Sequence, residues 1–185
     1  MLAKTILFSQ RRVFKNLICK SRDRLYRMAY AWTHDPHLAD DLVQQTICKA
    51  LANQKQLQDM DAAQGWLFRI LSNSLTDYYR AKRDFVTDDQ LLDVEARSPE
   101  RLTQEQQLVD RVRSGIGQLP LIQRQVVTLV DLEGFSYNTV SQILEIPIGT
   151  VMSRLCRGRQ SLRTILEEIK PNSAQVHPIR LRSVK

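Results

Sequence analysis

"SYNTVSQILEIPIGTVMSRLCRGRQSL", residues 136–162, holds two apolar stripes of helical period on either side of a proline and a glycine. Ser136 stands where its hydroxyl can accept from a free N–H of a first helical turn. Behind it Val140, Ile143 and Leu144 fall at helical spacing and predict one inward face. Small Ser141 permits another helix to approach closely. Pro147 and Gly149 are expected to break the helix within "EIPIGT", and Thr150 to start the next. There Val151, Leu155, Leu162 and Leu166 recur at spacings of four, seven and four, a second buried stripe. Thr150, Ser153, Arg154, Arg157 and Gln160 crowd the other side. This layout predicts a helix-turn-helix.

Residues 146–166 carry four arginines and no acid. A solvated amphipathic helix normally mixes signs, so the one-signed face favours a polyanion. Arg, Ser, Thr and Gln opposite a dry face suit the major groove, where they reach phosphates and base edges.

The remainder of the 185 residues sets the context. Six glycines, six prolines and few β-branched runs favour helices over sheet. The net charge of +7 is unevenly spread: residues 1–27 hold eight basic groups against Asp23 alone, whereas 84–110 hold two against eight acids. Cys19, Cys48 and Cys156 are odd in number and have no CxxC spacing, which argues against a disulfide framework or a thiolate zinc site. No apolar run is long enough to span a bilayer, and the start of the chain reverses the order of a secretory signal; the expected location is cytoplasmic, without stable membrane insertion. His34, His37, Asp40, Asp41 and Cys48 do not complete a ligand set at metal spacing, so neither metal nor cofactor is expected. A glycine-rich phosphate loop and a nucleophile elbow are both missing, and an enzyme is not expected.

Upstream, Phe14, Leu17, Leu25, Met28, Ala29 and Trp32 outline a first helix over about residues 8–33. Asp35 and Pro36 then read as the N-cap and first position of a second. "NQKQLQDMDAAQ" reads as a loop. A third helix, "GWLFRILSNSLTDYYRAKR", buries Leu67, Ile70, Leu71, Leu75 and Tyr78, and Trp66 reads as a core residue. Composition then turns acidic through "DFVTDDQLLDVEARSPERLTQEQ". The expected fold is all-α: a helical domain over 8–83, a flexible acidic linker over 84–107, a helix-turn-helix domain over 108–167, and a disordered tail over 168–185.

Two blocks, in order, resemble a known family. "LPLIQRQVVTLVDLEGFSYNTVSQILEIPIGTVMSRLCRGRQSLR" is similar to the promoter-recognition domain of bacterial sigma factors of the extracytoplasmic-function (ECF) group. "RLYRMAYAWTHDPHLADDLVQQTICKAL" and "GWLFRILSNSLTDYYRAKR" resemble that family's helices for core polymerase and for the melted −10 element. The resemblance implies an alternative sigma factor that binds core RNA polymerase, through the β′ clamp helices and β, and opens promoter DNA. It assigns Asp41, Gln44, Gln45 and Lys49 to core binding. To the −10 strand it assigns Gln56, Arg69, Asn73, Thr76, Arg80, Lys82 and Arg83, and to the −35 groove Thr150, Ser153, Arg154, Arg157 and Gln160. It implies an anti-sigma factor as a further partner. Met152 and Cys156 depart from the family's usual residues, so no −35 sequence preference carries over. The residues alone leave two competitors open: a helix-turn-helix regulator that binds duplex DNA without polymerase, and a basic protein-interaction module.

Overall fold

In the computed structural model the described residues are 2–57, 59, 62–85 and 104–168, and among them every long element is a helix. Three helices form an N-terminal unit: α1 (Leu2–Thr33), α2 (Pro36–Ala52) and α3 (Ala63–Phe85), with a short 3₁₀ turn at Gln54–Gln56. The second unit comprises α4 (Gln104–Gln118), α5 (Leu121–Val127), α6 (Tyr137–Leu144) and α7 (Ile148–Glu168). The segment 86–103, which holds most of the expected acidic linker, and the tail from 169 onward lie outside the described residues.

Local chemistry explains the boundaries. α1 stops because His34 takes a left-handed backbone (φ 54°), and its N–H donates to the Tyr30 carbonyl. Asp35 then caps α2, its carboxylate accepting from the N–H groups of His37 and Leu38 at 2.9 and 3.1 Å, with Pro36 at the first position. α5 runs into one wide turn over Thr128–Leu132 with i to i+5 bonding, and Gly134 (φ 72°) ends it where a side chain would be strained.

The helix-turn-helix is present, with one adjustment. Ser136 caps α6 by accepting from the Thr139 N–H, and the Ser141 hydroxyl donates to the Ile146 carbonyl at 2.6 Å across the turn. Gly149 and Thr150, expected in the turn and at its exit, already lie inside α7. The chain reverses instead at Glu145, held at φ 54°, and the Pro147 carbonyl accepts the first helical N–H groups. A proline suits that entry because it needs no donor.

Phe14, Leu25, Met28 and Trp32 of α1 pack on Leu42 and Val43 of α2 and on Leu67, Phe68, Leu71 and Leu75 of α3. Tyr78 is not in this stripe: it is 38% exposed, and Tyr79 is half-buried in its place. α7 crosses α5 at Gly158, where an added Cβ would lie 2.6 Å from Val127 Cγ2. Glycine thus sets the depth of that crossing. Gly158→Val is expected to cost about 3 kcal/mol by overpacking and to lower the melting temperature by about 9 °C, read by circular dichroism.

The two units do not stand apart. Leu119, Val126, Val127, Leu129, Val140 and Ile143 join the N-terminal residues in one continuous core. Phe68 meets Phe135 edge-on with centroids 5.2 Å apart. The Trp32 indole N–H donates to the Thr128 hydroxyl at 2.8 Å, in a buried position. Arg24 pairs with Glu133 at 2.5 Å, and this carboxylate is only 7% exposed. Arg124 reaches back from α5 to donate to the carbonyls of Trp32, Gly117 and Leu119.

Candidate nucleic-acid interface

α3 presents Trp66, Arg69, Ile70 and Asn73 at spacings of three, one and three, which is one helical face. That face forms one wall of a groove of about 370 Å³, and Lys49, Asn53 and Gln56 complete most of its remaining lining. The Lys49 ammonium donates to Ser74 Oγ at 3.1 Å and pairs with Asp77 at 3.3 Å, which draws it from α2 toward α3. Asn53 donates to the Lys49 carbonyl, and Gln56 donates to Asn53 Oδ1 at 3.2 Å, so the two loop amides are positioned by one another. Cations, amides and an aromatic wall in one recess are what an unstacked base and its phosphates need.

The structure sorts the sequence-predicted residues unequally. Gln56, Arg69 and Asn73 converge on this groove. Thr76, Arg80 and Lys82 lie farther along α3, exposed but outside it, and Arg83 belongs to the same helix near its end. Thr76 is turned back to the Ser72 carbonyl at 3.0 Å, and Arg80 sits 4.0 Å from Asp77. Asp41, Gln44 and Gln45 share an exposed side of α2, whereas Lys49 has turned into the groove. From the sequence, Asn53 is only the first residue of the loop ahead of α3, with no role of its own, and Trp66 is placed in the core. Trp66 is half-buried: it lies against Phe14 with centroids 6.2 Å apart and also lines the groove. Its register with Arg69 and Asn73 was the available signal.

On α7, Ser153, Arg157 and Gln160 are exposed, and Thr150 and Arg154 are half-buried. Arg157 folds over its own helix, donating to the Ser153 carbonyl at 3.3 Å and to Ser153 Oγ at 3.4 Å. Arg159 is engaged by Asp131 at 2.5 Å and Arg163 by Glu167 at 3.0 Å. Of the four arginines, Arg154 and Arg157 therefore retain charge without an acidic partner among the described residues.

Residues 17–85 match the Sigma-70 region 2 family model and residues 110–162 match Sigma-70, region 4. The ECF RNA polymerase sigma factor EcfG of Rhodopseudomonas palustris is 36% identical over 129 residues, covering 69% of this chain and 71% of that protein. This chain belongs to the ECF sigma factors. The sigma factor is also 32% identical over 164 residues to SigE of Mycolicibacterium smegmatis, covering 86% of the chain but 63% of that longer protein. Among solved structures, the sigma factor RpoE from Bartonella quintana, in complex with the anti-sigma factor NepR, superposes with a TM-score of 0.67 at 25% identity, over 86% of this chain and 99% of that one. Membership makes the chain an alternative sigma factor for promoter recognition and transcription initiation. Among the described residues no helix is long and apolar enough to cross a membrane.

Proposed function

We propose that the N-terminal unit docks on core RNA polymerase through Asp41, Gln44 and Gln45 of α2 and captures the −10 strand in the groove on α3. The observation that carries this reading is the groove itself, which gathers Lys49, Asn53, Gln56, Trp66, Arg69 and Asn73 from two helices and a loop into one recess. Lys49 serves the strand rather than the polymerase, because its ammonium is drawn to the α3 side. Arg80 and Lys82 extend the cationic track along α3 toward upstream phosphates, with the neutral Thr76 beside them, and Arg83 follows on the same helix. The C-terminal unit lays α7 in the −35 major groove. Ser153, Arg157 and Gln160 reach bases or phosphates there, with Thr150 and Arg154 at the edge. Joined through residues 86–103, two modest contacts gain specificity from their spacing. An anti-sigma factor is a further proposed partner, supported by the complex in which the Bartonella relative was solved.

Transcription in vitro with core enzyme tests this reading. The expected result is initiation from a promoter found by start-site mapping, with weak binding to the same duplex without polymerase. Tight duplex binding without polymerase and no initiation would instead make the chain a regulator. Asp41→Ala with Gln45→Ala is expected to weaken core binding about tenfold, measured by fluorescence anisotropy, with circular dichroism unchanged because both side chains are exposed. Unaltered core affinity would move the docking surface elsewhere.

A further inference from the structure

α7 turns two kinds of side chain to solvent. Ile148, Met152 and Cys156 recur every four residues, and all three are exposed. Beside them Gly149, Ser153 and Arg157 recur at the same interval and are exposed as well. Residues four apart stand one above another on a helix, so an apolar ridge runs alongside a polar one. The apolar ridge is not spare core: Val151 and Leu155 already turn inward, while Met152 stays 49% exposed. The helix start beside it is bare, since a Cβ added to Gly149 would meet nothing within 4 Å.

The edges of a major groove are mostly donors and acceptors, and their one apolar group is the C5 methyl of thymine. A thioether or a thiol set against a guanine, adenine or cytosine edge would cover polar atoms without satisfying them. Set against a methyl, it takes apolar surface of both partners out of water. Methionine is unbranched and polarisable, so it adapts to the position of that methyl. Met152 and Cys156 stand about 6 Å apart along the helix axis, close to two base-pair steps of about 3.4 Å. The surroundings favour DNA over a protein partner. No acid lies in residues 146–166, and Arg157, next to the ridge, is held by Ser153 rather than by a carboxylate.

We infer that Met152 and Cys156 are the thymine readers of α7: the duplex element carries one thymine methyl against Met152 and a second, about two base pairs along, against Cys156. This rests on the placement of α7 in the −35 groove proposed above. Hydrogen bonds from Ser153, Arg157 and Gln160 hold the helix in register, and the apolar ridge decides which base is accepted beside them.

With the full chain bound to core RNA polymerase, selection from a duplex promoter library randomised over the −35 element yields the preferred element. Each thymine in it is then replaced singly by deoxyuridine, which lacks only the methyl. Holoenzyme affinity, read by fluorescence anisotropy, is expected to fall about fourfold at the thymine facing Met152, the effect of one methyl returned to water. Met152→Ala should make thymine and deoxyuridine equal there and leave the other positions as in the parent. Cys156→Ser should do the same at the second thymine. At the first position 5-methylcytosine should bind tighter than cytosine in the parent but not in Met152→Ala. Met152→Gln, which keeps the length of the side chain, should turn the selected base from thymine toward adenine. Both side chains are exposed, so the thermal melts should match the parent. Equal affinity for thymine and deoxyuridine throughout, with −35 binding still weakened by Arg157→Ala, overturns the methyl reading and leaves α7 in the groove. A methyl effect that persists in Met152→Ala and in Cys156→Ser overturns the assignment to these residues. Indifference of the holoenzyme both to the −35 sequence and to Arg157→Ala overturns the placement of α7, and this inference with it.

Discussion

Replacing Arg124 with methionine is expected to destabilise the chain by about 3 kcal/mol, at the upper end for the loss of charge-assisted hydrogen bonds in a partly buried site. The size follows from what the guanidinium touches. The Trp32 carbonyl lies in the last turn of α1, and the Gly117 and Leu119 carbonyls lie at the end of α4, where helices leave acceptors without intrahelical donors. One cation thus caps two helix C-termini and meets the negative ends of two dipoles. His34 completes the site: burial first, and then the adjacent guanidinium, hold its imidazole below the usual range. Its Nδ1 therefore accepts from Arg124, at 3.3 Å, as a neutral ring. Burial likewise lowers the Arg124 pKa, which stays far above neutrality for a guanidinium. Methionine keeps the apolar stem and strands three carbonyls. Lysine restores the charge without the fork, so Arg124→Lys should recover less than half of the loss. Urea denaturation followed by circular dichroism measures both; a midpoint for Arg124→Met within error of the parent would remove Arg124 from this role.

The second large effect is functional. If the proposed strand capture holds, Arg69→Ala with Asn73→Ala should reduce open-complex formation about a hundredfold, since each side chain would then supply one contact of about 1–3 kcal/mol to a base or phosphate. Both are exposed on the groove wall, so the fold should survive their truncation. Permanganate footprinting of the melted strand in the presence of core enzyme reads the loss directly. Binding to core should be unchanged, because Asp41, Gln44 and Gln45 lie on an exposed side of α2 and do not line the groove. A footprint of parental strength would place strand capture elsewhere on α3.

Much of this molecule follows from local pattern. The start of α2 at Asp35-Pro36 and the cap at Ser136 are short-range hydrogen-bonding effects. Two places were read wrongly for definite reasons. Tyr78 and Tyr79 are adjacent, and in a helix 3.6 residues to the turn the neighbouring elements decide which of them faces inward. Gly149 looked like a breaker, but the reversal falls at Glu145, whose left-handed backbone is stabilised by the Ile146 bonds to Ser141. Arg124 gave no signal at all: in sequence it is one of three consecutive polar residues in "LIQRQVV", and its partner Trp32 is 92 positions away.

By itself the sequence determined the helices, the helix-turn-helix, the basic face of α7 and membership of the family, because period, caps and motif order are properties of neighbours along the chain. Only the tertiary structure decided which side chains share the groove, that Trp66 stands at its wall and Lys49 turns into it, that Arg159 and Arg163 are already paired, and that the two units close on one another. Those depend on packing between residues far apart in sequence, where the lowest free energy is a property of the assembled core and of buried hydrogen bonds.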